Sequence, residues 1–193
     1  MVESNNLILV TGGVRSGKSS FAEKIATRHA LQLEESRLHY IAPGKRTDLE
    51  MERRIEHHQE TRRKSGFHWR TWEEYRLDRL QYSFTEKDIV LLDCLTTLVN
   101  EAFFQQEKNW DDAEFQKELI ARVANSIKNL SSKVGGLVIV SNDIFHEPVL
   151  DNRLVLQYTR TLGSLHQQLA RIAQQVYFVE FGMPLFLKGE EVE

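Results

Sequence analysis

The run Leu7-Ile8-Leu9-Val10-Thr11 leads directly into Gly12-Gly13-Val14-Arg15-Ser16-Gly17-Lys18-Ser19, after which Phe21, Ile25 and the pair Ala22/Ala26 recur at helical spacing. An apolar strand, a G-x-x-x-x-G-K-S turn and a helix in that order form the pattern of a phosphate-binding loop. Glycines let backbone N–H groups wrap phosphate oxygens, and the N-terminus of the following helix adds its dipole. In such a loop Lys18 reaches the β- and γ-phosphates, and the Ser19 hydroxyl ligates Mg²⁺. The competing reading is a glycine-rich turn without function, against which the strand before it and the helix after it both speak. The pattern predicts binding of a nucleoside triphosphate, ATP or GTP.

The rest of the chain repeats the alternation. Residues 38–42 (LHYIA), 88–93 (DIVLLD) and 137–141 (LVIVS) are strand candidates without polar alternation. Residues 17–30, 49–64, 111–130 (opened by Asp111-Asp112) and 154–173 are helix candidates, the last with Tyr158, Leu162, Leu165, Leu169 and Ile172 on one stripe. Residues 176–181 and 185–187, around Gly182-Met183-Pro184, suggest a closing hairpin. Uniformly apolar strands separated by helices argue a sheet buried on both faces. The expected class is α/β: a P-loop NTPase-like, mostly parallel sheet flanked by helices, with a C-terminal hairpin. No repeat, low-complexity tract or linker interrupts residues 1–193, which read as a single domain.

Composition narrows the function classes. The 25 basic and 28 acidic residues give a net charge of −3, which exerts no global pull toward nucleic acid or an anionic membrane. Cys94 alone cannot form an internal disulfide or a cysteine-rich zinc site. Apolar runs are too short to span a bilayer, and the N-terminus lacks the basic and apolar regions of a signal peptide, so a cytoplasmic protein is expected.

Two further features carry chemistry. Asp93 ends the run 88–93; beside a phosphate loop, an acid there positions Mg²⁺ directly or through water, although it could merely cap the next segment. The stretch Arg53-Arg54-Ile55-Glu56-His57-His58-Gln59-Glu60-Thr61-Arg62-Arg63 places adjacent histidines among charges. Helical neighbours diverge by about 100°, so His58 falls over Met51 and Ile55 while His57 falls on the polar side with Arg53, Arg54 and Thr61. A metal pair wants i,i+4 spacing, which Thr61 and Arg53 do not supply. A solvated helix with pairs such as Glu50–Arg54 is the plain alternative. With a phosphate loop in the same chain, a third reading opens. An imidazole is mostly neutral near pH 7 and competent to attack phosphorus. Arg53 and Arg54 disfavour its protonation, Glu56 partly opposes them, and the arginines, with Arg62, can hold phosphate oxygens.

These residues resemble the bifunctional adenosylcobinamide kinase / adenosylcobinamide-phosphate guanylyltransferase family of cobalamin biosynthesis. The resemblance rests on GGVRSGKS, Tyr40-Ile41-Ala42, the R-I-x-H-H pattern followed by Arg62, HWRTWE at 68–73, the apolar stretch LLDCLTTLVN at 91–100, taken as strand, and Val140-Ser141-Asn142. It extends over essentially the whole chain. It implies a homotrimeric P-loop α/β enzyme with two steps. First comes phosphorylation of the aminopropanol hydroxyl of adenosylcobinamide by ATP or GTP. Then a histidine, here His57, attacks the α-phosphorus of GTP, and the GMP passes to the phosphorylated corrinoid. Catalysis then falls to His57 and Lys18. Nucleotide contacts map to Gly12, Gly13, Val14, Arg15, Ser16, Gly17, Lys18, Ser19, Pro43, Gly44, His58, Gln59, Glu60, Thr61, Arg62, Glu73 and Asp93; metal contacts map to Ser19 and Asp93.

Departures concentrate late. The family's V-S-N-E-V-G-x-G-I-V-P reads VSNDIFHEPVL at 140–150, without the two glycines and with the proline at Pro148. Leu156, Thr159-Arg160 and His166 replace the family's Arg, Arg-Asp and Asn, which bears on acceptor identity and the kinase step. For His68, Trp69 and Trp72, packing in the core or at an edge stands as an equal alternative to a functional role. Two rival functions follow: a P-loop kinase for another small acceptor, in which His57 only contacts phosphate, and a nucleotide-binding regulator without turnover.

Overall fold

A computed structural model describes residues 6–44, 60, 62, 66–80, 82–104, 110–145 and 152–190. Seven strands form one sheet in the order β3-β2-β4-β5-β1-β6-β7. They are β1 (Leu7–Gly12), β2 (Arg37–Ala42), β3 (Trp69–Glu73), β4 (Asp88–Asp93), β5 (Gly136–Asn142), β6 (Gln175–Glu180) and β7 (Met183–Lys188). All neighbouring pairs are parallel except β6–β7, which is the antiparallel hairpin expected at the C-terminus.

The uniformly apolar strands have a simple cause. Leu7 and Leu9 of β1 face one side of the sheet and Ile8 and Val10 the other, and all four are buried. On the second side, α1 (Lys18–Gln32) lays Ala22, Ile25, Ala26 and Ala30 across Ile8, Val10, Ile89 and Val138. The small residues allow the helix to sit close to the strands. The first side is covered by α2 (Leu77–Leu80), α3 (Leu95–Phe104), α4 (Ala113–Ser131) and α5 (Arg153–Ile172). Each fully buried leucine or isoleucine stabilises this arrangement by about 1.5–3 kcal/mol relative to leaving it in water.

Helix starts follow their caps. The Asp112 carboxylate accepts the Glu114 N–H at the start of α4, and Asn152 accepts Leu154 and Val155 N–H at the start of α5. One expectation needs correction. The stretch 91–100 is strand only to Asp93; from Leu95 it is α3, burying Leu95, Leu98, Val99 and Phe103 on its inner face. A short apolar run does not by itself separate buried strand from buried helix. Residues 69–73 are an edge strand, β3, paired with β2, whose Trp69 and Trp72 are partly buried against the two core clusters. The helix expected over 49–64 falls outside the described residues apart from Glu60 and Arg62, both helical.

Trp72 belongs to a network at the sheet edge where β2 and β4 begin. Its indole Nε1–H donates to His39 Nδ1 at 3.1 Å, and His39 Nε2 meets Asp88 Oδ1 at 2.9 Å. An acceptor Nδ1 sets the tautomer, so Nε2 carries the proton donated to Asp88. Asp88, fully buried, also accepts from Arg37 and from the Thr85 N–H and hydroxyl. Burial raises the Asp88 carboxyl, but the Thr85 N–H, His39 and Arg37 outweigh it and hold the group below the usual range. Burial lowers His39 more than Asp88 raises it. This histidine–aspartate pair has the look of a catalytic dyad, yet Trp72 occupies the nitrogen such a base would use, so the pair ties strands together. Asp88→Ala would strand the His39 and Thr85 donors and is expected to cost about 3 kcal/mol. Chemical denaturation would report that loss, while the nucleotide KM of the folded fraction stays unchanged.

Candidate functional site

Parallel pairing brings the C-terminal ends of β1 to β5 to one edge of the sheet, which is where open α/β sheets bind ligands. Gly12, Ala42, Glu73, Asp93 and Asn142 end those five strands. The strand order separates them in steps of about 4.8 Å. By that spacing Asp93 lies about 10 Å from the end of β1, across β5, and Glu73 about 19 Å away.

At Gly12 the chain leaves β1 with φ 156, and a Cβ there would stand 2.3 Å from the Val179 carbonyl oxygen, so only glycine fits between β1 and β6. Gly17, at φ 92, is the N-cap of α1 and offers no side-chain cap. The first-turn N–H groups of α1 therefore lack the side-chain acceptor that usually satisfies them, a site chemically suited to an anion. Lys18 is buried, and its ammonium donates to the Gly13 carbonyl at 2.8 Å. Ser16 Oγ is buried with no hydrogen-bond partner among the described residues. A hydroxyl in that position is a donor suited to a phosphate oxygen. The hairpin supports the loop from below, since Gly182 N–H donates to the Ser16 carbonyl at 2.8 Å. Val14 and Arg15 are exposed at the loop tip, and Ser19 is half-buried in the first turn of α1.

Across β5, Asp93 accepts the Tyr40 hydroxyl on Oδ2 at 3.2 Å. Burial, together with the Asp93 charge, raises Tyr40 well above the ordinary phenol range, so the phenol remains the donor. Pro43 is buried and Gly44 packs on the first turn of α3, where a Cβ would meet Thr97 Cγ2 at 2.8 Å. This brings the turn after β2 beside Asp93. Cys94 is buried against Thr97 and raised chiefly by burial, which leaves the thiol unreactive.

Arg62, read from sequence as a phosphate cation, is held by protein groups beside the strand-end acid. It is only 4% exposed, pairs with Glu23 Oε1 at 3.1 Å and places its guanidinium 3.7 Å from the Tyr40 ring centroid. Glu60 and Glu73 are exposed. His57, His58, Gln59 and Thr61 lie outside the described residues. Thus the structure gathers the phosphate loop, Pro43, Gly44 and Asp93, and leaves Glu73 at the far end of the edge. Glu23 could not be singled out from sequence, because its partner Arg62 lies 39 residues away.

A second polar chain runs beside Asp93. Asn142 N–H donates to Thr96 Oγ1 at 2.9 Å, Thr96 Oγ1 lies 3.2 Å from Ser141 Oγ, and Ser141 Oγ lies 2.6 Å from His166 Nε2. Thus His166 places an imidazole on the last residues of β5. Tyr158 donates to the Thr96 carbonyl at 2.9 Å and Phe145 packs edge-on against the imidazole. Burial pushes His166 down to about 4, against a smaller upward pull from Asp143. The imidazole is then neutral, and its Nε2 shares one proton with the Ser141 hydroxyl.

Because the folded form disfavours the proton while an unfolded histidine takes one up near 6.5, stability falls as pH drops from about 6.5 toward 4 and levels off below. Relative to His166→Asn, the wild-type chain is expected to lose about 2 kcal/mol between pH 7 and pH 5. Urea midpoints at the two pH values measure this difference.

The comparisons with known proteins agree with this geometry. The family model described as cobinamide kinase / cobinamide phosphate guanyltransferase matches residues 8–187. The bifunctional adenosylcobalamin biosynthesis protein CobU of Escherichia coli (strain K12) is 34% identical over 189 residues, covering 94% of this chain and 99% of the relative. The bifunctional adenosylcobalamin biosynthesis protein CobP of Pseudomonas aeruginosa is 33% identical, covering 94% of this chain and 97% of the relative. Among solved structures, an ATPase domain is similar with a TM-score of 0.51 at 15% identity, covering 90% of this chain and 69% of that one, a likeness of fold alone. The chain belongs to the cobinamide kinase / cobinamide phosphate guanyltransferase family.

Proposed function

We propose that this chain phosphorylates the aminopropanol hydroxyl of adenosylcobinamide with ATP or GTP. It then transfers GMP from GTP to that product, giving adenosyl-GDP-cobinamide. One observation carries the reading: a phosphate loop with an anion-ready helix end and the strand-end acid Asp93 share one sheet edge, in a chain 34% identical to a bifunctional CobU. The domain assignment, residues 1–193 as one transferase domain acting in the cytoplasm, belongs to the same proposal. No helix among the described residues is long and apolar enough to cross a membrane.

In the kinase step the loop N–H groups and Lys18 hold the β- and γ-phosphates. The acceptor oxygen bonds to the γ-phosphorus, the γ-phosphorus–oxygen bridge breaks, and the hydroxyl proton is released. In the guanylyl step the His57 imidazole bonds to the α-phosphorus of GTP and pyrophosphate leaves. The corrinoid phosphate oxygen then displaces the histidine from phosphorus. Pro43, Gly44, His58, Gln59, Glu60, Thr61 and Glu73 are assigned to the nucleotide on the family resemblance. The separation of about 19 Å leaves Glu73 only the end of the nucleotide remote from the loop.

Mg²⁺ fits the donors present. Ser19 and Asp93 offer hard oxygens, and Mg²⁺ takes one or two protein oxygens while keeping several waters. Bound there it would neutralise charge developing on the phosphates. The surface for a homotrimer is supported by β7, whose outer row Met183, Leu185 and Leu187 is exposed and apolar, with Phe181 at the hairpin tip.

Incubation with α-labelled GTP and Mg²⁺ is expected to leave acid-labile, alkali-stable label on the wild-type chain and none on His57→Ala. An unlabelled wild type would sink the guanylyl half and favour a kinase for another acceptor. Lys18→Ala is expected to lower kcat/KM for both steps by about 100-fold or more, measured separately with each nucleotide.

A further inference from the structure

Arg62, Glu23, Tyr40 and Asp93 come from four separate segments, and their contacts form one chain. Glu23 sits on α1, one turn past the phosphate-loop residues Lys18 and Ser19. It accepts from Arg62 Nη1 at 3.1 Å, and both side chains are largely buried. Burial raises the Glu23 carboxyl and Arg62 pulls it back, as in a dry ion pair. The paired guanidinium lies against the face of Tyr40, 3.7 Å from the ring centroid. Arg62 therefore fixes the ring from one face, and Glu23 fixes Arg62. The phenol in turn donates to Asp93 Oδ2.

A carboxylate at a strand end rotates readily, and one oxygen held by a rigid donor fixes its plane. Asp93 Oδ1 accepts no hydrogen bond among the described residues. Arg62 also follows His57 by five residues in the chain, so the ion pair ties the segment downstream of the two histidines to the phosphate-loop helix.

Resting on the reading of Asp93 as the metal-side acid, we propose that Tyr40 is a positioning residue for Asp93, clamped by the Glu23–Arg62 pair, so that the carboxylate presents Oδ1 to a divalent cation. The clamp couples three parts that the two-step reaction uses together: the phosphate loop, the strand-end acid and the chain leading from the histidines. Tyr40 acts on the cation through Asp93.

Tyr40→Phe tests this directly, since it keeps the ring against Arg62 and removes only the hydroxyl. Mn²⁺ binding, followed by electron paramagnetic resonance with GTP present, is compared for wild type, Tyr40→Phe, Asp93→Asn and the double variant. Loss of the hydroxyl is expected to weaken Mn²⁺ about tenfold with little change in Tm, and to add nothing once Asp93 is Asn. Unchanged Mn²⁺ affinity in Tyr40→Phe, or losses that simply multiply in the double variant, would overturn the positioning role. Asp93→Asn binding Mn²⁺ as wild type does would instead remove Asp93 from the metal, and the proposal with it, while the phosphate-loop reading would stand on Lys18→Ala. If Tyr40→Phe fails to fold, Glu23→Gln serves as second variant. A Mn²⁺ affinity weakened severalfold there supports the clamp, and an unchanged one overturns it.

Discussion

A parallel sheet satisfies its backbone only when each strand has neighbours, and it survives in water only when both faces are covered. Here Leu7, Ile8, Leu9 and Val10 are buried alike because α1 covers one side of β1 and α3 to α5 the other. That double burial holds β1 at a fixed height between β5 and β6. Everything at the site follows from the height. The loop after Gly12 emerges against the Val179 carbonyl, α1 begins where the loop ends, and Asp93 emerges two strands away on the same edge. A slip of β1 by one residue would reverse its faces and move the loop off the helix axis.

The polar groups divide by edge. At the start of β2 and β4, Asp88, His39, Arg37 and Trp72 satisfy one another, and their job ends with holding strands. After β1, donors are left incompletely matched: Ser16 Oγ has no partner among the described residues, and the first turn of α1 has no side-chain cap. Buried polar groups without partners are costly in a fold that does nothing else. At the phosphate loop, the open Ser16 hydroxyl and the uncapped start of α1 are donors that a phosphate group is chemically suited to complete. Two histidines with similar surroundings thus have different meanings. His39 is locked by Trp72 and Asp88, whereas His166 belongs to the strand-end chain through Ser141.

Arg62 shows how tertiary context rewrites a reading of charge. In the run of residues 53–63 it is one cation among several, and beside a phosphate loop it invites assignment to phosphate. In the fold it is nearly the least exposed charge among the described residues, held by Glu23 and pressed on Tyr40. A buried arginine with a carboxylate and an aromatic face has its geometry determined before any ligand arrives.

The phosphate loop, the apolar strands, the hairpin and the acid at Asp93 were legible because each is local: a glycine pattern, a run of four or five apolar side chains, a turn, a strand end. The caps of α4 and α5 were local in the same way, although only the Asp111-Asp112 start was read. The strand β3 and the helix α3 were not, since an edge strand need not be uniformly apolar and Leu91 to Asn100 carries both strand and helix signals. The Glu23–Arg62–Tyr40–Asp93 chain was out of reach altogether. Its links join residues 39 and 53 positions apart, and sequence records no distance between them. So the sequence by itself determined the fold class and the phosphate chemistry, because backbone conformation and hydrophobic period are set by near neighbours. Which charges face that chemistry and which are folded away was decided only by tertiary structure, because burial and pairing depend on residues that meet only once the sheet has closed.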